Sequence, residues 1–282
     1  MPTSEKHHVI EYIFDQLWDE ETKTLTRTAI SMEDVTNGIR WANANKGSKL
    51  SDRNPANFMK DVVRGFGGSK MWPQKLKELK WTAVQKKGSS HVFEFVRYAE
   101  GQDDPFPNPF GHHEAVRTHH VQSLSIPQAT KELGRDDETY LIQVSAKLSV
   151  VETHFALESP HKDRMQHIQH IQVGVKLRHA EIDSMYLATC LDDNGKSQSV
   201  VITAEAKKRR QRILEEQIEG QVRETFKAMK IDRVIPIAMQ SVENGIYIAE
   251  FKAVDRANLA DFNELELVGE GLYQLVPKVK GI

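Results

Sequence analysis

The 282-residue sequence contains a single cysteine, Cys190. One thiol excludes an internal disulfide and a thiolate zinc cluster. No apolar run approaches the roughly 20 residues that span a bilayer. The opening stretch, Met1 to Lys6, lacks the apolar core of a signal peptide, so a cytoplasmic protein is expected. Internal repeats and low-complexity tracts are missing. So is any large excess of charge: 38 Lys and Arg stand against 40 Asp and Glu, for a formal net charge of −2. Binding to a polyanion therefore cannot come from bulk charge and falls to local patches. What remains is the composition of a globular chain, 39% hydrophobic and 28% charged, long enough for one large domain or two modest ones.

Residues 1–98 read as a helical module closed by a hairpin. Val9, Ile10, Ile13, Phe14 and Leu17 recur at helical spacing. Ser31 with Asp34 three residues on begins a second helix, in a variant of the capping box. Asn54-Pro55 begins a third, with Phe58, Met59, Val62 and Val63 on its buried side and Arg53, Lys60 and Arg64 near its exposed side. Two strands, Trp81–Val84 and His91–Val96, flank a tip carrying Lys86 and Lys87. Three helices and a basic hairpin resemble a winged-helix DNA-binding domain, in which the third helix enters the major groove. A helical packing module is the alternative. Residues 99–127 hold Pro105, Pro107 and Pro109 and little periodicity, and read as a linker or an ordered inter-domain loop.

Residues 128–282 alternate between helix and strand patterns. Leu141, Val144, Leu148, Val151 and Phe155 make one helical stripe from Asp137 to about Leu157. Ile171 to Leu177 alternates as a half-buried strand, Glu181 to Cys190 forms a second, and Ser199 to Ala206 a third. Asn194-Gly195 is the turn between the last two. Ile213, Leu214, Ile218, Val222, Phe226 and Met229 mark a long amphipathic helix, followed by strands at 234–237 and 245–251 and an apolar patch at 265–275.

The third strand ends in Glu205-Ala206-Lys207. Side chains alternate along a strand, so Glu205 and Lys207 share a face. A carboxylate and an amine are costly to bury unless they are paired or bound to metal. Asp183 lies on the preceding strand, and a hairpin brings it to them. Asp183, Glu205 and the Ala206 carbonyl offer the hard oxygen ligands that Mg²⁺ prefers. Lys207 supplies a compact positive charge able to orient an attacking water.

Helix, a three-stranded meander carrying Asp and then Glu-x-Lys, helix, two strands: this order resembles the PD-(D/E)XK nuclease superfamily, best known from type II restriction endonucleases. The resemblance covers about residues 128–255 and implies an α/β fold with an αβββαβ core and a mixed central sheet. It implies Mg²⁺-dependent, sequence-specific cleavage of double-stranded DNA, with Asp183 and Glu205 holding metal and Lys207 positioning the water. Ile182 stands where many members carry Pro. Glu152 matches an additional acidic residue some members carry on the preceding helix, and Gln217 and Gln221 match a polar position seen on the following one. A homodimer and a protective DNA methyltransferase are the partners implied. A structure-specific repair, resolvase or anti-phage nuclease is the alternative within the same chemistry. An inactive DNA-binding regulator is the alternative outside it.

Lys208, Arg209, Arg210 and Arg212 follow the strand. They read equally as a phosphate-binding patch or as a solvated face balanced by Glu215, Glu216 and Glu219. His112-His113 and His119-His120 are spaced to share a helix face and hold zinc, but solvated or DNA-facing imidazoles are the favoured reading, since no cysteine lies near.

Overall fold

The computed structural model describes residues 5–85, 91–192 and 194–282. The chain divides into two compact units, Met1–Asn108 and Pro109–Ile282.

In the first unit, α1 (Lys6–Leu17) buries Val9, Ile10, Ile13, Phe14 and Leu17, the face its periodicity defines. Two-residue strands β1 (Trp18–Asp19) and β2 (Thr24–Leu25) form a small antiparallel ribbon. After β3 (Ala29–Ser31), α2 (Met32–Lys46) starts on the predicted capping box. The Ser31 hydroxyl accepts the Asp34 N–H, and the Asp34 carboxylate accepts the Ser31 N–H. The expected third helix is broken into a 3-10 turn at Pro55–Asn57 and short helices α3 (Lys60–Arg64), α4 (Gly68–Met71) and α5 (Gln74–Glu78). Its buried side is as expected, with Phe58, Met59, Val62 and Val63 all covered, but Gly65, Gly67 and Gly68 interrupt the run. Strands β4 (Trp81–Gln85) and β5 (His91–Arg97) pair antiparallel, and β3 joins β5 on its other side. The expected basic tip with Lys86 and Lys87 lies outside the described residues.

The second unit is built on an eight-stranded mixed sheet. Its elements run β6 (Thr118–Gln122), α6 (Gln128–Leu133), α7 (Glu138–Lys147), α8 (Val150–Leu157), β7 (Met165–Lys176), β8 (Glu181–Leu191), β9 (Ser197–Lys207), α9 (Glu215–Ala228), β10 (Arg233–Val242), β11 (Gly245–Phe251), β12 (Val254–Asp255) and β13 (Leu267–Val276). The strand order is β6-β13-β11-β10-β9-β8-β7, with β12 on β10. β9 and β10 pair parallel across the α9 crossover, as do β13 and β6; the other pairs are antiparallel.

Helices cover both faces. Leu141, Val144, Val151 and Phe155 of α7 and α8 pack with Val200, Ile202, Ile235 and Ile248 on one side. Val222 and Phe226 of α9 pack with Met185, Val201 and Val234 on the other. No helix among the described residues is long and apolar enough to cross a membrane.

Two expectations are corrected here. The linker expected over 99–127 contains β6, a strand of the main sheet, and the units meet at 108/109. Only Val121 of its five residues is fully buried, so this edge strand carries no alternating apolar signal. The single helix expected over Asp137–Leu157 is two. Asp137 caps the first through a 2.7 Å bond from the Tyr140 N–H. Ser149, at φ +52°, separates it from the second. The stripe remains buried through the break, so periodicity alone could not reveal it.

Candidate active site

The antiparallel ladder between β8 and β9 has its last register pair at Ser184 and Ala204, although β8 begins at Glu181 and β9 runs on to Lys207. Past that pair β9 continues alongside β10 alone, as far as Lys207 opposite Gln240. The Ala206 N–H, left without a β8 carbonyl, donates to the Asp183 carboxylate at 2.8 Å. A side chain thereby completes a ladder that the backbone abandons, and Asp183 is anchored beside Glu205 and Lys207.

Thr203, Glu205 and Lys207 alternate onto the face that α9 covers. Glu205 is 3% exposed and Lys207 2% exposed. The Lys207 ammonium donates to Glu205 Oε1. Gln221, buried on α9, donates from Nε2 to Glu205 Oε2 and, at 2.9 Å, to the Glu181 carbonyl. Both targets are acceptors, so the amide can face them only with its NH₂ group. Its oxygen is left buried with no hydrogen-bond partner, and Gln217 Oε1, one helical turn earlier, is left the same way.

Two carboxylates thus share one ammonium in a water-poor place. Burial pushes the Asp183 carboxyl up to about 7, and the Glu205 charge adds to the rise; the Ala206 N–H and Lys207 oppose it without cancelling it. Glu138, in the first turn of α7, pushes in the same direction as Glu205. It is the helix carboxylate whose field reaches Asp183. The sequence disguised it, because an acid in a first helical turn is ordinary compensation for the helix dipole.

Glu152, expected at this site, is elsewhere. It lines a cavity of about 250 Å³ with Phe155, Lys162, Met165 and His167. Met165 pairs with Cys190, at the opposite end of β8 from Asp183, and α8 packs on the sheet face away from Glu205. Burial raises the Glu152 carboxyl, and its Oε2 has no partner.

The basic residues separate by environment. Lys208 is half-buried, and Arg209 and Arg210 are exposed. Arg212, expected on the nucleic-acid surface, is only 3% exposed and sits in the loop packing beside buried Ile213. In the first unit Arg53 and Lys60 are exposed and Arg64 is half-buried. The histidine pairs share no helix: His119 and His120 lie on β6, where His119 meets Glu158 at 2.6 Å, and His113 meets Glu270 at 3.1 Å.

A divalent cation fits the donor set. Among the described residues no group of three or more His, Cys, Asp or Glu side chains is gathered for a metal. Mg²⁺, however, commonly takes only one or two carboxylates and fills its shell with water and substrate phosphate. Asp183 Oδ1 makes no hydrogen bond among the described residues, each Glu205 oxygen has a lone pair to spare, and the surplus negative charge calls for a cation. Set against protein-family models, curated proteins and solved structures, the chain matches none of them.

Proposed function

We propose that the protein is a Mg²⁺-dependent endonuclease acting on double-stranded DNA, of the PD-(D/E)XK kind. The observation that carries this reading is the parting of β8 and β9, where Asp183 and Glu205 come together with a single ammonium and leave negative charge uncompensated. The run α7–α8, β7, β8, β9, α9, β10 supports the αβββαβ core that such nucleases use. In the first unit, the order of α1, β3, α2, the short helices, β4 and β5, with β3 paired to β5, supports a winged-helix-like DNA-binding role.

In this mechanism Asp183 and Glu205 would hold the cation, and Mg²⁺ would supply Lewis-acid stabilisation of the charge that builds on the phosphodiester. Lys207 orients the attacking water and favours its deprotonated form. Gln221 keeps the Glu205 carboxylate aimed, through a bond that α9 locks by burial. The water oxygen bonds to phosphorus, the bond to the 3′ oxygen breaks, and that oxygen takes up a proton, leaving a 5′-phosphate and a 3′-hydroxyl. Cutting both strands calls for two such centres, hence a homodimer. Cleavage at one fixed sequence would make a companion methyltransferase necessary.

Digestion of phage and plasmid DNA with purified protein and Mg²⁺, followed by sequencing of the ends, tests the reading. Defined 5′-phosphate ends are expected, and Asp183→Asn should lose cleavage while still binding DNA. A variant Asp183→Asn that cuts at the wild-type rate ends the proposal. Cleavage confined to branched or damaged DNA redirects it to a structure-specific nuclease.

A further inference from the structure

Immediately after Lys207 the chain makes a tight turn that is fixed from three directions. The Gln211 N–H donates to the Lys208 carbonyl at 3.0 Å, and the Lys208 N–H donates to Gln211 Oε1 at 2.9 Å. Gln240, buried on β10 opposite Lys207, donates to the Gln211 carbonyl at 2.6 Å. Arg209 and Arg210 are held at the tip. The turn borders a cavity of about 410 Å³ whose wall includes Lys208, Arg209, Arg210, Asp136, Ser241 and Val242. The cavity lies at the carboxyl ends of β9 and β10, the parallel pair, which is where parallel sheets place their ligands.

The cations in this wall are not equivalent. Arg209 is tied to Glu243 at 2.9 Å. The Lys208 ammonium and the Arg210 guanidinium have no ionic or hydrogen-bonded side-chain partner among the described residues. Asp136 is the one acidic side chain in the wall, which Gln211, Gly281 and Ile282 complete. A lone exposed cation on a surface means little. Two unpaired cations on an immobilised turn, beside a cavity and next in sequence to Lys207, form an anion site.

We propose that this cavity is a subsite for a second phosphate of the nucleic-acid strand, held by Lys208 and Arg210 while the neighbouring phosphodiester lies against Asp183, Glu205 and Lys207. The inference rests on the nuclease reading and adds to it the means of strand alignment. The volume exceeds what a phosphate alone fills and is that of a pocket for a small organic ligand. Val242 gives the attached sugar an apolar wall. Arg209 shares the wall but is paired with Glu243, and Arg212 is buried and does not line the cavity.

The test measures binding of a short DNA duplex to the full chain in EDTA, as a function of salt, so that no cleavage is required. Wild type is compared with the double variant Lys208→Gln/Arg210→Gln and with Arg209→Gln. The double variant should bind more weakly, with the slope of log affinity against log salt reduced by about 0.9 for the phosphate lost. Its melting temperature should be unchanged. Arg209→Gln should keep the wild-type slope. An unaltered slope in a folded double variant overturns the proposal. Inorganic phosphate and dAMP are titrated in parallel: saturable dAMP binding that the double variant loses, with duplex binding untouched, would assign the cavity to free nucleotides and overturn the strand reading. A reduced slope in a protein that cuts no DNA in Mg²⁺ would sink the nuclease reading and leave the subsite standing.

Discussion

The main sheet buries two glutamates, and they are treated in opposite ways. Glu250, on β11, is fully buried, and both its oxygens are engaged. His154 Nε2 lies 3.0 Å from one, and the Ser159 hydroxyl donates at 2.9 Å to the other. His154 Nδ1 in turn meets the Tyr273 hydroxyl at 2.9 Å, and burial together with nearby Glu158 and Glu250 pushes that phenol's pKa well up, so it acts as the donor. Every polar group in this chain of contacts has a partner. Glu205, two strands away on β9, has Lys207 and Gln221, yet Asp183 beside it is pushed to about 7 and two glutamine oxygens nearby have no hydrogen-bond partner. A closed network of this sort specifies a fold; an open one, with a perturbed carboxylate, marks a candidate functional site.

The contrast can be broken most forcefully at Glu250. Glu250→Ala should destabilise the protein by about 3–5 kcal/mol, because it strips partners from a buried histidine and a buried hydroxyl. Urea denaturation measures this, and a loss below about 1 kcal/mol would erase the distinction between the two sites. Asp183→Asn should do the reverse. Its amide oxygen can still accept the Ala206 N–H, so the fold survives, while cleavage falls by on the order of 10²-fold or more in a plasmid assay.

The same variant sharpens the comparison through pH. The folded Asp183 carboxyl titrates above its unfolded value, so the stability it contributes is complete in acid and is lost as pH rises through about 7. In EDTA, Asp183→Asn should therefore melt higher than wild type above pH 7 and no higher near pH 4. Added Mg²⁺ should raise the wild-type stability by about 1.4 kcal/mol at ten times its Kd, and should leave Asp183→Asn nearly unmoved in thermal melts. The smallest effect belongs to Glu152, also raised by burial. Glu152→Gln should stabilise slightly at neutral pH, fade in acid and leave cleavage untouched; a loss of cleavage would return Glu152 to the active site.

Local chemistry was legible in the sequence wherever it was also sufficient. The Ser31–Asp34 capping box and the Asn194-Gly195 turn each act within a few residues, and strand alternation alone put Glu205 and Lys207 on one face. Two features escaped because their causes lie far along the chain. β6 is a strand only because β13, more than 140 residues later, offers it a parallel edge. The His154–Glu250 bond joins residues 96 apart. The break at Ser149 escaped for another reason: no Gly or Pro announces it, and both halves keep the same buried stripe. Read as one long helix, the segment offers Glu152 as the added acid; the break between α7 and α8 sets it apart from Glu138, whose charge reaches Asp183.

The single bond from Gln240 to the Gln211 carbonyl has a mechanical consequence. It moors the basic turn to the same strand that flanks Lys207, so turn and lysine are fixed to one support. Under the proposed reading, a nucleic-acid strand lying across both would be held at two points whose spacing is set by the sheet.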